Sequence, residues 1–486
     1  MIVPWVLVAL ALVALNCAEE TNHYDVIVVG MGAAGTMAAS TLARAGKKVL
    51  ALEAMERVGG RVHSVDFAGG VAELGAEWTQ GQGPSLIYKT ARDHNITLQS
   101  QAKDLSEVEV VRSDGTLADL VIKDIVDKGM ELCDEGSEGN KPVSLGEYVT
   151  NELTEYIRKK HPEIAEDKET VARVLEYLDQ YTDTVDASDS WMDVDATVPY
   201  EILDGDQHLS WHKLGYKTLF ELLLNTYNGG PGLDSLEVKL SSPVTSVKWP
   251  QQPDEKVVVT TSGGQEYTAD AAIITVSLGV LKEKHTTLFS PALPEDKKTA
   301  IEKLDMGVIG KIIFSFDKPW WRNRIFGMVW KTEDLKKVPA EDLWTTKVMG
   351  ASPSLGSDHT FTVWTGGATA RLVETLPDEE VKTKVMALLR RFFGADTTIP
   401  DPTGMLRSKW YNNEWTRGSY SFTGMSAAQA PGARSSLAAP LSDNTGRPRV
   451  LLAGEATHAT RYATVHGAAD SGFHAASILL VTKTAA

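Results

Sequence analysis

Tyr24-Asp25-Val26-Ile27-Val28-Val29-Gly30-Met31-Gly32-Ala33-Ala34-Gly35 is the stretch that decides the fold. Its first half is an apolar run rich in β-branched residues, which predicts a strand. Small residues continue from the last glycine to Arg44 and predict a helix. Lys47 to Leu52 then reads as a second strand, closed by Glu53. Strand, glycine-rich turn, helix, strand and acid stand in the order of a dinucleotide-binding βαβ unit, the signature of a Rossmann-like α/β domain. Gly30 permits the tight turn, Gly32 lets backbone approach a pyrophosphate at the helix N-terminus, and Gly35 lets helix and strand pack closely. Glu53 is placed to accept hydrogen bonds from a ribose diol.

Downstream segments add to this unit. Glu53-Ala54-Met55-Glu56-Arg57-Val58-Gly59-Gly60-Arg61 ends in a glycine pair and a guanidinium that can donate to a pyrophosphate in bidentate fashion. Glu73-Leu74-Gly75-Ala76-Glu77-Trp78 follows. Arg449 to Ala453 predicts another strand, with Gly454-Glu455 at its end, where an open sheet places a second nucleotide-contacting loop. Ala271 to Val276 reads as a buried parallel strand entering a loop at Ser277-Leu278-Gly279. Met306 to Phe316 puts Lys311 at the start of a strongly apolar strand. A charge there needs a partner or a function, unless the side chain snorkels from the strand end.

Composition bounds the rest. The chain has 486 residues, 43% hydrophobic and 23% charged, enough for at least two domains with a large core and unlike a disordered tail or a coiled coil. Its formal charge of -17 repels a phosphate backbone, so nucleic acid is not an expected partner; the acidic surface either steers a cationic small molecule inward or is ordinary solubilising charge. Ile2 to Leu15 is almost wholly apolar and ends before Glu19-Glu20-Thr21-Asn22. Residues 1–18 are therefore expected to be a secretory signal peptide, with an uncleaved anchor as the alternative, and no other membrane segment is expected. Cleavage near Ala18 removes Cys17 and leaves Cys133 alone, so the mature chain has no intramolecular disulfide. Asn95-Ile96-Thr97 is a glycosylation acceptor that agrees with a secreted, extracellular protein. No metal site is expected.

The run from Gly30 to Arg61, the Leu74 to Trp78 run, Thr416-Arg417-Gly418-Ser419-Tyr420-Ser421, and Gly454-Glu455-Ala456-Thr457-His458 through His466-Gly467-Ala468 together resemble the flavin-containing amine oxidases, most of all the animal polyamine oxidase branch. The resemblance covers nearly the whole mature chain. It implies a glutathione reductase-like fold: a Rossmann-like FAD-binding domain of discontinuous segments plus an α+β substrate-binding domain. The expected division is 23–98, 225–315 and 404–486 for FAD, and 99–224 and 316–403 for the substrate. It also implies non-covalent FAD, because the stretch from Gly454 to Gly472 holds no cysteine for a covalent tether.

Carried over residue by residue, the resemblance implies that Gly30, Gly32, Gly35, Glu53 and Arg61 hold the adenosine and pyrophosphate parts. Ala76 and Trp78 would lie near the isoalloxazine, Trp410 would face the flavin, Glu455 would lie near the ribitol, and Thr464 and Val465 near the pyrimidine end, with Gly75, Glu77 and Gly454 as further cofactor-binding residues. Val244 is either a core valine or the residue whose backbone meets adenine. Lys311 matches the family lysine that holds a water at flavin N5, and is the expected catalytic residue. The implied reaction removes a hydride equivalent from the carbon next to nitrogen, hydrolyses the imine to aldehyde plus amine, and passes electrons to O2 to give H2O2.

Tyr420 and Thr464 are the expected walls of the substrate pocket. Gln80 stands where polyamine oxidases carry His or Glu, and it can hydrogen-bond an amine without neutralising it. Glu77 is a compensating carboxylate or a surface acid. The crowd of Asp179, Asp183, Asp186, Asp189, Asp193 and Asp195 is an entrance lining or a solvated face. Three functions follow: a polyamine oxidase, an oxidase of an L-amino acid or monoamine with Arg417 as a carboxylate partner, or a flavin-binding protein without turnover.

Overall fold

The computed structural model describes residues 23–101, 108–139, 141–197, 200–321, 324–395 and 397–481; the expected signal peptide and Cys17 lie outside them. The apolar runs pair side by side. The strand His23–Val29 lies between Val49–Leu52 and Glu266–Ile274, parallel to both, and Leu236–Lys239 and Pro448–Leu452 extend the parallel set on either side. Val244–Lys248 and Val257–Thr261 complete an antiparallel ribbon against Glu266–Ile274, in a sheet of nine strands among the described residues.

Both faces of this sheet are covered, which is why its central strands are apolar without alternation. Ile27 and Val29 point into a core shared with the helices Leu278–Leu288, Glu295–Lys303 and Ala433–Ala438. Val26 and Val28 point the other way, onto the helices Ala33–Arg44 and Val465–Val481. Each such fully buried valine or isoleucine contributes about 1.5–3 kcal/mol. The expected loop at Ser277-Leu278-Gly279 is instead a helix start: the Ser277 side chain accepts from the Val280 N–H and caps Leu278–Leu288.

A second sheet carries the catalytic candidate. Its order is Gly404–Arg407, Ile309–Ser315, Thr360–Gly366, Gly350–Pro353, Ile325–Val329, Val108–Arg112, antiparallel except for the last pair. One face, with Ile312, Phe314, Phe361 and Val363, packs on the helix Asp378–Phe393 through Val381, Val385, Leu388, Leu389 and Phe392, as the sequence period predicts. The tryptophans 320, 321, 330 and 344 belong to this core. On the other face Lys311 stands directly opposite Trp364 in the ladder. Three amphipathic helices, Leu120–Glu135, Leu145–Lys160 and Lys168–Val185, form a further layer, capped by Asp119, Ser144 and Asp167.

The two halves interlock more than the segment scheme implies. Ile309–Ser315 and Gly404–Arg407, expected with the cofactor segments, are strands of the second sheet. Leu219, Phe220, Leu222 and Leu223, expected with the substrate segments, pack on Ala33 and Met37 of the glycine-turn helix. Among the described residues no helix is long and apolar enough to cross a membrane.

Candidate active site

A cavity of about 1940 Å³ is lined by residues from both sheets and from the helical layer. Ordinary small-molecule pockets span about 300–1,000 Å³, so this one has room for a dinucleotide and a second ligand. At one end lie Gly30, Gly32, Glu53, Gly60 and Arg61. Gly30 has φ +92°, and a Cβ on Gly35 would run into the Gly30 carbonyl, which explains those two glycines. At Gly32 a Cβ would meet nothing nearer than 3.9 Å and would enter the cavity, the cradle geometry that a pyrophosphate needs. The helix Ala33–Arg44 begins there with no side-chain cap and no acid in its first turn, so its N–H groups and positive dipole end are left for an anion. These residues fit a dinucleotide.

Glu53 lines the cavity, and its carboxylate also ties the glycine turn to the second strand by accepting from Met31 N at 2.6 Å and Met55 N at 2.8 Å. Burial pushes its pKa up, against the pull of those N–H groups. Arg61 is more committed than its motif suggests. Its Nη1 donates to the Ser419 carbonyl at 2.8 Å and to Glu455 at 2.9 Å. Among the described residues its second terminal nitrogen makes no hydrogen bond. Glu455 is buried and also accepts from Ser421 and from Ala463 N. Burial alone would raise its pKa, yet Arg61, Ser421 and Arg434 hold it below the usual value.

Val244, Gly454, Thr464 and Val465 all line the cavity. The Thr464 hydroxyl, however, is spent on capping: it donates to the Arg461 carbonyl at 2.8 Å and accepts from Gly467 N at 3.0 Å.

The middle of the cavity holds Gly75, Ala76, Glu77, Trp78, Gln80, Lys311, Trp364 and Trp410. Lys311 and Glu77 form an ion pair at 2.6 Å, with side-chain exposures of 5% and 6%, so Glu77 is a buried partner of the lysine and not a surface acid. Lys311 Nζ also donates to the carbonyls of Glu73 at 3.0 Å and Gly75 at 2.8 Å. All three N–H bonds are thus engaged, and a water at this nitrogen has to take one of them over. Lys311 further lies 4.7 Å from the centre of the Trp364 ring, which stacks with Trp78 at 6.1 Å. Trp410 is anchored by donating Nε1 to the Leu74 carbonyl at 3.1 Å. Glu73, behind the lysine, is pushed up to about 7, chiefly by burial.

Beyond this point the cavity reaches a chamber lined by Asp134, Tyr181, Asp186, Asp195, Tyr200, Tyr420 and Tyr462. Tyr420 Oη donates to the carbonyls of Thr184 and Val185 at 3.1 and 3.0 Å. Of the aspartates singled out by sequence, most hold loops together: Asp179 accepts from Ser190 and Trp191 N, Asp183 from Ser188, and Asp189 pairs with Arg371. Arg417 pairs with Glu283 away from the cavity lining. Arg434 escapes sequence reasoning. This buried cation ties Ser421, Thr423 and the Ala456 carbonyl together and lies 3.8 Å from the Tyr462 ring centre, yet it sits in a stretch of small residues without a motif.

A dinucleotide cradle that opens onto a chamber of aromatic rings and carboxylates fits a cofactor-dependent oxidoreductase. The comparisons with known proteins narrow that class. The model of the family described as flavin containing amine oxidoreductase matches residues 33–480, and the chain belongs to that family. It is an FAD-dependent amine oxidase. Peroxisomal N(1)-acetyl-spermine/spermidine oxidase of Homo sapiens is 31% identical, with 96% of each chain covered. Probable polyamine oxidase 5 of Arabidopsis thaliana is 26% identical, covering 94% of this chain and 98% of that one. In fold, the chain is similar to a double mutant of putrescine oxidase made in a structure-based redesign of cofactor binding. The TM-score is 0.69 at 19% identity, over 95% of this chain and 99% of that one.

Proposed function

We propose that this chain oxidises a polyamine, with spermine, spermidine or an N1-acetyl derivative as candidates. The carbon beside a secondary amine is oxidised to the imine, which water splits into an aldehyde and a shorter amine, while O2 becomes H2O2. Non-covalently bound FAD supplies the two-electron acceptor. The observation that carries this reading is the continuity of one cavity from the uncapped helix N-terminus at Gly32, past Lys311, to a chamber rich in carboxylates. The names of the relatives support the same substrate class.

In this reading Gly30, Gly32, Gly35 and Glu53 hold the nucleotide end, and Arg61 reaches the pyrophosphate with its second terminal nitrogen. Trp78, Trp410 and Tyr420 shape the aromatic surroundings of the reacting carbon. Lys311, fixed by Glu77, places a positive charge that disfavours protonation of the reacting amine and favours its neutral form. Gln80 supplies a neutral hydrogen-bonding group. Arg61 is the one arginine on the cavity wall among the described residues, and Glu455 already pairs with it, which counts against a substrate carboxylate.

Residence outside the cell is part of the proposal: Ile2 to Leu15 supports it, as does the exposed Asn95 acceptor, whereas the names of two relatives are peroxisomal. The test is O2 uptake with peroxide release on a panel of spermine, spermidine, N1-acetylspermine, butylamine and L-leucine, with the products weighed by mass spectrometry. Turnover of a polyamine to an aldehyde and a shorter amine is expected; turnover confined to butylamine or L-leucine overturns the reading.

A further inference from the structure

Arg434 is a buried cation without a carboxylate of its own. It is 6% exposed, and among the described residues no carboxylate lies within ion-pair distance of it. Its Nη1 donates to Ser421 Oγ at 2.8 Å and to the Ala456 carbonyl at 3.2 Å, and its Nη2 to Thr423 Oγ1 at 3.1 Å, while its Nε has no hydrogen-bond partner among the described residues. Such a charge is costly to bury, and an apolar side chain would fill the same space at less cost. What it acts on lies one hydroxyl away. Ser421 Oγ donates in turn to Glu455 Oε2 at 2.7 Å, and Glu455 Oε1 accepts from Arg61 Nη1 at 2.9 Å. One buried carboxylate thus stands between two guanidinium groups, bound to Arg61 directly and to Arg434 through Ser421.

The balance of charge matters for the anion that this end of the cavity has to take. The pyrophosphate of a dinucleotide is doubly negative. Arg61 is the one arginine on the cavity wall among the described residues, and Glu455 pairs with it. Left to themselves these two charges cancel, and the uncapped helix end at Gly32 adds only about half a positive charge. Arg434 changes that balance, because two cations to one anion leave the cluster positive. Both cations act on Glu455 and hold it ionised against its burial. Arg434 does so from behind: it is absent from the cavity lining, and its remaining face is closed by Tyr462, whose ring centre lies 3.8 Å away.

We infer that Arg434 is a positioning residue for the cofactor: through Ser421 it offsets the charge of Glu455, and so leaves the charge of Arg61 to the pyrophosphate of FAD. The inference rests on the reading that Arg61 reaches that pyrophosphate.

Release of FAD on dilution of the holoprotein, followed by the rise in free-flavin fluorescence well below the melting temperature of each variant, gives a dissociation constant without reference to turnover. Arg434→Gln and Arg434→Met, two neutral replacements, should each raise it about tenfold or more, the weight of one charge in a buried site. Arg434→Lys keeps the charge and should stay within about threefold of the wild type. The decisive variant adds Glu455→Gln to Arg434→Gln. It removes the carboxylate that cancels Arg61, keeps an oxygen for the Arg61 N–H, and should bind FAD more tightly than Arg434→Gln alone. A merely structural role predicts the opposite order, since the second change weakens the hold on Arg61 and Ser421 further. Arg61→Met tests the reading underneath: if it leaves FAD affinity unchanged, that reading and the proposal fall together. If Arg61→Met weakens FAD binding, the proposal alone is overturned by neutral Arg434 variants that bind like the wild type, by an Arg434→Lys as weak as Arg434→Gln, or by a double variant no tighter than Arg434→Gln.

Discussion

The Lys311–Glu77 pair permits a prediction with a sign that few mutations offer. Both side chains are buried, the ion pair is 2.6 Å long, and the lysine has two carbonyl partners besides. Removing one partner of such a pair costs about 3–5 kcal/mol, because the other is left charged and uncompensated. Glu77→Leu leaves Lys311 with the carbonyls of Glu73 and Gly75, so its loss belongs at the lower end, about 3 kcal/mol. Lys311→Met strands the Glu77 carboxylate together with both carbonyls and belongs at the upper end, about 5 kcal/mol. The double variant removes both charges and packs apolar groups in their place, which is often close to neutral; it is expected within about 2 kcal/mol of the wild type.

Thermal unfolding of the four holoproteins, followed by tryptophan and flavin fluorescence, reads this directly. At about 2 °C per kcal/mol for a large domain, the single variants should melt about 6–10 °C low and the double variant well above either. Losses that add within about 0.5 kcal/mol would refute the coupling, since independent sites behave that way.

The cradle predicts opposite outcomes for two neighbouring glycines. Gly32→Val should fold with a melting temperature near that of the apoprotein and purify without yellow colour, because its side chain would enter open cavity, whereas Gly35→Val should fail to give soluble protein, because its Cβ meets the Gly30 carbonyl. A yellow Gly32→Val protein contradicts the cradle. Glu73 gives a pH prediction: its folded pKa of about 7 stands above the ordinary 4.5, so the native state holds the extra proton. Its stabilisation is complete below about pH 4.5 and is lost as pH rises through 7, about 3 kcal/mol in all. Melting curves from pH 5 to 8 should therefore fall more steeply for the wild type than for Glu73→Gln, and parallel curves would contradict this. Secreted protein should begin near Glu19 on N-terminal sequencing and lose the mass of one glycan on glycosidase treatment, a loss that Asn95→Gln abolishes; an intact Met1 or an unmodified Asn95 counts against the secretory reading.

The sequence revealed backbone chemistry better than side-chain partnership. Gly30, Gly32 and Gly35 were legible because a tight turn, an open cradle and a close crossing each exclude other residues for a local reason. The helix Asp378–Phe393 was legible because its period is local as well. Lys311 stood out as a charge opening an apolar strand, but its partner did not: Glu77 lies 234 positions away, and only the approach of the second sheet to the glycine-rich half joins them.

The same distance hid the commitment of Arg61 to Glu455 and the buried role of Arg434. The aspartate crowd of 179–195 could not be sorted from sequence, because what separates Asp186 from Asp179 or Asp183 is whether a nearby hydroxyl or N–H turns toward it. Ser277-Leu278-Gly279 after an apolar strand reads as a loop, yet Ser before an apolar stretch is also a helix cap, and here the cap prevails.

The central claim is that this cavity brings the carbon of a polyamine to a bound flavin. It is tested most directly by mixing the purified holoprotein anaerobically with spermine, spermidine, N1-acetylspermine, butylamine or L-leucine and recording the flavin absorbance. Rapid bleaching by one or more of the polyamines, with slow or no bleaching by butylamine and L-leucine, is the result expected. A flavin that stays oxidised with every polyamine would contradict the account.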